Sequence, residues 1–201
     1  MAQNGTVVVG GGDAVQLEAE LEAAAPGARV ILSSGIAGAV APGLNAGDVV
    51  ISGSDGLVEV LRRILPDAQA GIVAGSDAIV ATVAQKRALH ECTGALTVDM
   101  ESHIAARVAA RHGLSFAALR VISDTVDETL PPAALVGMRP DGGMALGPVL
   151  ASLVRHPDQL PALIRTGMSA ERAFRSLKRC HDVLRRAGIG QLDLGEFALD
   201  V

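Results

Sequence analysis

Two carboxylates, Glu101 and Asp124, bracket the most informative stretch of the chain, VDMESHIAARVAARHGLSFAALRVISDT at 98–125. One acid follows the apolar run TGALTV (93–98); the other closes the apolar run SFAALRVIS (115–123). A carboxylate at a ligand crevice can accept two hydroxyl hydrogen bonds at once. One placed beside an apolar run is desolvated towards its neutral form and can work as a general acid. The plainer readings stand beside these: Asp124 as a turn cap after a strand, Glu101 as a first-turn helix acid favoured by the macrodipole.

The elements that would position the pair can be read from periodicity. SHIAARVAARHG (102–113) repeats apolar residues at 104, 105, 108 and 109 and stops at His112-Gly113, so it predicts an amphipathic helix between two strands. That unit implies a parallel pair with a right-handed crossover, whose carboxyl ends form the crevice. Upstream, TVVVG (6–10) reads as a buried strand and AVQLEAELEAAA (14–25) as a helix with Asp13 as N-cap. ARVILSS (28–34) and GDVVISG (47–53) read as strands around a Gly-rich loop, followed by a helix at 57–65, a strand at 70–75 and a helix at 79–94. Residues 127–144 are turn-rich, and three helical segments follow, punctuated by Pro157, Gly167 and Gly188. Strands interleaved with helices and a helical end argue an α/β fold with a mixed, mostly parallel sheet. The 201 residues read as a single domain, 1–201.

Composition narrows the function classes. Aromatic residues are 1% of the chain, too few to stack bases, and the formal net charge is −5, so a nucleic-acid platform is not expected. Cys92 and Cys180 form no CxxC pair, no secretory signal precedes them, and no run of apolar residues is long enough to span a bilayer; a cytoplasmic protein is expected. The five histidines include no HExxH, so no metal site is expected. VVVGGGDA lacks the third glycine of a dinucleotide loop, having Val15 there. No Gly-x-Ser-x-Gly elbow is present.

Three segments in order carry a family resemblance: SSGIAGAVAPGLNAGDVVIS (33–52), AGSDAIV (74–80) and VDMES with RVISD (98–102, 120–124). They resemble the Gly-rich loop, the purine-pocket segment and the paired acidic motifs of the purine nucleoside phosphorylase and nucleosidase superfamily. Within it, VDMESH, LPPAALVGMRPDG (130–142) and the Arg-rich tail look most like the hopanoid-associated phosphorylases, assigned to release of adenine from adenosylhopane.

The resemblance implies a nucleoside phosphorylase-like fold, cleavage of a purine N-glycosidic bond without an organic cofactor, and a homo-oligomer. It implies that Asp124, oriented by Ser123, assists departure of the base at its N7, and that Glu101 holds the ribose hydroxyls with Met100 packed beside the sugar. Electron density given to those hydroxyls would also stabilise a cationic transition state. Ala37 and Gly38 would let backbone approach the ligand; Ile79 and Val80 match purine-lining positions, with ordinary core packing as the even alternative. Asp99 is expected to cap the helix that follows it.

The second substrate stays open between orthophosphate and water. Relatives using phosphate offer a loop Ser preceded by an Arg; here Ile36 and Ser33 or Ser34 stand there. Arg120 is a candidate phosphate partner, although an Arg inside a strand more often pairs with a carboxylate. Relatives using water place a Glu after a further N-terminal strand, which this sequence is expected to lack. Methylthioadenosine or another small nucleoside is the alternative substrate, and a nucleoside-binding protein without turnover the alternative class. Finally, Arg172, Arg175, Arg179 and Arg186 form one helical stripe opposite Ala173, Leu177, Cys180 and Leu184. That stripe is either a solvated face of a packed helix or a peripheral contact with the inner face of a membrane, suited to a nucleoside with a lipid tail.

Overall fold

The computed structural model describes residues 6–10, 13–137, 152 and 154–189. Its centre is a six-stranded mixed sheet of β1 (Val30–Ala39), β2 (Val49–Gly53), β3 (Gln69–Ala70), β4 (Val73–Gly75), β5 (Thr97–Asp99) and β6 (Ser115–Asp124), in the order β3-β2-β6-β1-β5-β4. Helices α1 (Ala14–Ala24), α2 (Asp55–Ile64), α3 (Val83–Thr93), α4 (Ser102–Arg111), α5 (Pro132–Gly137) and α6 (Leu160–Arg186) surround it.

β1 and β6 form the spine, parallel from Val30 beside Ser115 to Gly38 beside Asp124, with a register shift at Ala37/Gly38. Pleat alternation sends the two faces to different helices. Ile31 and Phe116 pack with Ala105, Val108 and Ala109 of α4. On the other face Leu119 and Val121 pack with Ala173, Cys180 and Leu184 of α6. Both sheet edges come from one short run: β3 pairs with β2, β4 pairs with β5, and only Gly71 and Ile72 separate them. The sheet therefore curls so that 69–75 lines both borders, and a Cβ at Gly71 would overlap Leu96.

Several sequence expectations are corrected. TVVVG is neither strand nor buried; Val9 is 62% exposed. The Gly-rich segment is no loop, because β1 continues through Gly35–Ala39 and gains partners on both sides. The 70–75 run is split by Gly71-Ile72 between two strands. The units around α4 are not adjacent parallel strands: β5 runs antiparallel to β1, β6 runs parallel to it, and β1 lies between them. Gly167 does not end a helix, since burial of Ser169 and Ala173 against the body carries α6 straight through it. The expected helix at 144–156 falls largely outside the described residues.

Candidate active site

Asp124 is the last residue of β6 and is 7% exposed. Beside it, across the β1 pairing, lies Gly38, where a Cβ would stand 3.1 Å from Asp124 Oδ2. Ser123 Oγ is 2.7 Å from Asp124 Oδ1 and 3.1 Å from the Ala37 carbonyl, so one hydroxyl ties the carboxylate to the neighbouring strand. Lys86, at the end of the first turn of α3 and wholly buried, donates to Asp124 Oδ2 at 2.5 Å. It also donates to the Thr125 carbonyl at 2.6 Å and the Glu128 carbonyl at 2.8 Å. The apolar surroundings expected to desolvate Asp124 are thus answered by a buried ammonium, a full set of acceptors compensating the charge.

Glu101 follows β5 and opens α4. It lines a small cleft of about 80 Å³ with Met100, Ile104, Asp77 and, from α1, Asp13, Ala14 and Leu17. Burial pushes its carboxyl above the usual carboxylate range, and the charge of Asp99 adds to this; Arg120 and His103 pull the other way. Gly10 faces it, a Cβ there standing 3.3 Å from Glu101 Cγ.

Asp99 supports both sides. Its Oδ1 accepts from Ser102 N at 3.2 Å and Ser102 Oγ at 2.6 Å, the expected cap of the first turn of α4. Its Oδ2 pairs with Arg120 Nε, both side chains being buried. Arg120 gives Nη2 to Ser33 Oγ at 2.6 Å and Nη1 to the Leu119 carbonyl at 3.0 Å. The arginine in the strand has therefore found its carboxylate, and its Nε, Nη1 and Nη2 are all engaged.

Not every expected residue joins these groups. Asp124 does not line the cleft of Glu101; the β1 segment Ala37–Gly38 lies between β6 and β5. Thr97 Oγ1 donates to the Gly38 carbonyl at 2.6 Å, tying β5 to that segment. Val80 packs with Val40, Ala95 and Val98, and Ile79 is 38% exposed. From their loop it is Asp77 that reaches the cleft, held by His103 Nε2 at 3.0 Å.

Lys86 was not legible as a site residue, because a lysine in AQKRALH reads as a solvated helix position. Its one signal is spacing: Leu89 and His90, three and four positions on, both face inward. A second missed pair is Ser34 Oγ and His181 Nε2, 2.6 Å apart between β1 and α6. His181 Nδ1 is buried without a partner, and burial lowers the pKa of the imidazole. Among the described residues no group of three metal-ligating side chains converges.

The phosphorylase superfamily profile matches residues 53–155, just over half of the 201-residue chain. Among curated protein sequences none matches. Solved structures do. The 5'-methylthioadenosine/S-adenosylhomocysteine nucleosidase of S. pneumoniae superposes with a TM-score of 0.61 at 19% identity, covering 90% of this chain and 78% of its own. The S-adenosylhomocysteine nucleosidase of Streptococcus pyogenes gives 0.52 at 20% identity, covering 80% and 75%. The futalosine hydrolase of Helicobacter pylori gives 0.54 at 21% identity, covering 60% and 68%. At these identities the likeness is one of fold. A second Helicobacter pylori structure, a nucleosidase, is covered over 66% of its length, so the chain spans about two thirds of each. Profile and fold agree: the chain belongs to the phosphorylase superfamily, and its fold is the one these nucleosidase structures share.

Proposed function

We propose that this protein cleaves the N-glycosidic bond of a purine nucleoside and releases adenine, with adenosylhopane as the leading substrate. The observation that carries the reading is the placing of two acids against opposite sides of Ala37–Gly38: Asp124 at the end of β6, Glu101 just beyond β5. Glu101 accepts the two ribose hydroxyls, and Met100 packs beside the sugar. Asp124 meets the base, held by Ser123; Ala37 and Gly38 give it backbone room, and Ile79 and Val80 belong to the loop on the purine side. As the glycosidic bond breaks, its electron pair moves to the base, which takes up at N7 a proton passed on through Asp124 and leaves neutral; the water that adds to the sugar gives up the proton that replaces it. The sugar cation is captured at its anomeric carbon.

Water is the better supported nucleophile. Arg120, the candidate phosphate partner, is buried and engaged with Asp99, Ser33 and Leu119. The cleft at Glu101 is lined by three acids, Asp13, Asp77 and Glu101, and by no lysine or arginine among the described residues. Such a field repels an oxyanion. Adenine release from adenosylhopane in detergent, with and without phosphate, tests both claims, with methylthioadenosine and adenosine alongside. Release without phosphate supports hydrolysis; strict phosphate dependence replaces it by phosphorolysis. Turnover of the small nucleosides alone moves the substrate to that alternative. No release from any, with thermal protection by ligand, reduces the protein to a binder.

The proposal extends to a seat on the inner face of an anionic membrane. The inward face of α6 holds Ala173, Cys180 and Leu184 in the core, as a packed helix requires. Its outward face carries Leu160, Ile164, Met168 and Phe174, each about half exposed, in a helix with seven Lys or Arg and two acids. Apolar side chains among cations suit an anionic bilayer. No helix among the described residues is long and apolar enough to cross one. Vesicle flotation with and without anionic lipid decides: salt-sensitive binding supports the seat, and absence of binding removes it. Light scattering on the same sample reads the homo-oligomer that the family resemblance implies, with these side chains as the alternative contact between copies.

A further inference from the structure

The Lys86 ammonium is the most deeply buried charge in the described structure, with 0% of the residue exposed. Its three N–H groups meet three acceptors: Asp124 Oδ2, the Thr125 carbonyl and the Glu128 carbonyl. A buried ion pair is a poor device for stability alone, since apolar residues of similar volume often serve as well or better. What this one provides is geometry. Asp124 Oδ2 is fixed by Lys86 and Oδ1 by Ser123, so the carboxylate cannot rotate about its own axis.

The same ammonium fixes the chain after Asp124. Thr125 and Glu128 bound a turn in which Thr125 N donates to Glu128 Oε2 at 2.8 Å, and Lys86 ties both of their carbonyls to α3. The start of α3 is rigid in turn: Thr82 and Gln85 form a reciprocal capping box, and Leu130 N donates to the Ala81 carbonyl at 2.9 Å. Lys86 therefore couples the 76–82 loop, which overlaps the 74–80 segment proposed for the purine side, to the acid at the end of β6.

We propose that Lys86 is a positioning residue of the active site, acting through Asp124 by holding its carboxylate in the orientation that meets the purine base. This rests on the nucleosidase reading for its place in a reaction, and on hydrogen-bond geometry for its action on Asp124. Because the ammonium has an acceptor for each N–H, it touches no ligand itself.

The test is a double-mutant cycle of Lys86→Met and Asp124→Asn, read by adenine binding in calorimetry and by kcat and KM for adenine release. Both are measured well below each variant's melting temperature. Lys86→Met alone should weaken adenine binding about tenfold, the loss of a charged hydrogen bond. It should lower kcat about 100-fold, as a misplaced catalytic group does, with a smaller change in KM. In the Asp124→Asn background the same change should alter either quantity less than about twofold, because the residue through which it acts is gone. Losses that multiply in the double variant would reduce Lys86 to a general support of the fold and overturn the proposal. Should Lys86→Met not fold, the double variant, which buries neither charge, is compared with Asp124→Asn alone. Equal adenine affinity in those two supports the proposal, and a further loss overturns it. The two readouts separate the claims. Adenine binding that depends on Lys86 through Asp124, without turnover of any nucleoside, removes the proposed reaction and keeps the positioning role. Turnover indifferent to Lys86 does the reverse, and a wild-type protein that binds no adenine removes both.

Discussion

Gly38 and Asp124 are register partners across β1 and β6, and the space where a Cβ at position 38 would sit lies 3.1 Å from Asp124 Oδ2. The distance is tighter than ordinary van der Waals contact, and the carboxylate can retreat only by giving up hydrogen bonds to Lys86 on one oxygen or Ser123 on the other. Gly38 does not have a positive φ, so backbone strain is not the issue. Gly38→Ala should therefore leave the chain folded, with stability changed by about 1 kcal/mol, while adenine release falls at least tenfold as Asp124 is displaced. Thermal melting and kcat on the same preparation check this; wild-type turnover would mean the carboxylate gives way at no cost.

The Asp99–Arg120 pair joins the start of α4 to the spine of the sheet, with neither side chain appreciably exposed. Removing one partner leaves a buried charge uncompensated. Arg120→Met or Asp99→Leu should each cost about 3–5 kcal/mol, and the double change much less than their sum. Urea unfolding of the four proteins measures it. Additive losses would show that the two side chains act independently.

The elements plain in the sequence are those whose signals are local. Asp13 caps α1, α4 keeps its helical spacing, and β6 covers the predicted run almost residue for residue. What local pattern did not carry was pairing. Nothing in TGALTV says that β5 runs against β1, and nothing in AGIVAG says that two residues at Gly71-Ile72 part the sheet's edges. The Gly-rich 35–39 segment looks like a loop because glycine and alanine disfavour strands in isolation; two flanking strands override that preference. Asp124 and Glu101 were legible as candidate site residues through their motifs. Lys86 was not, since its partners are two backbone carbonyls and an acid far along the chain.

Glu101 should leave a pH signature. Its carboxyl titrates above the usual range in the folded protein, so the native state binds the proton more tightly than the unfolded chain. The stability this confers is complete below the unfolded carboxylate value, about pH 4.3, and is lost as pH rises through the higher folded value. Glu101→Gln removes that slope and should melt higher than wild type at neutral pH. The same variant should lose adenine release, because an amide cannot accept from two ribose hydroxyls as a carboxylate does. A stability profile that keeps its slope in the variant would assign the titration elsewhere.

His181 has the opposite sign. Burial lowers the pKa of its imidazole, and the side chain is 6% exposed, between β1 and α6. The unfolded chain therefore takes up the proton first. The stability of the neutral imidazole is present above the unfolded value, about pH 6.5, and is lost as pH falls from there through the lower folded value. Protonation would also make both ring nitrogens donors: it takes away the acceptor if Nε2 is the bare nitrogen facing Ser34, or adds a buried donor without a partner if Nδ1 is the bare one. Ser34→Ala with His181→Phe removes both polar groups and should flatten the melting temperature between pH 7 and pH 5, where the wild type declines. A decline of the same steepness in the double variant would place the acid-sensitive group outside this pair.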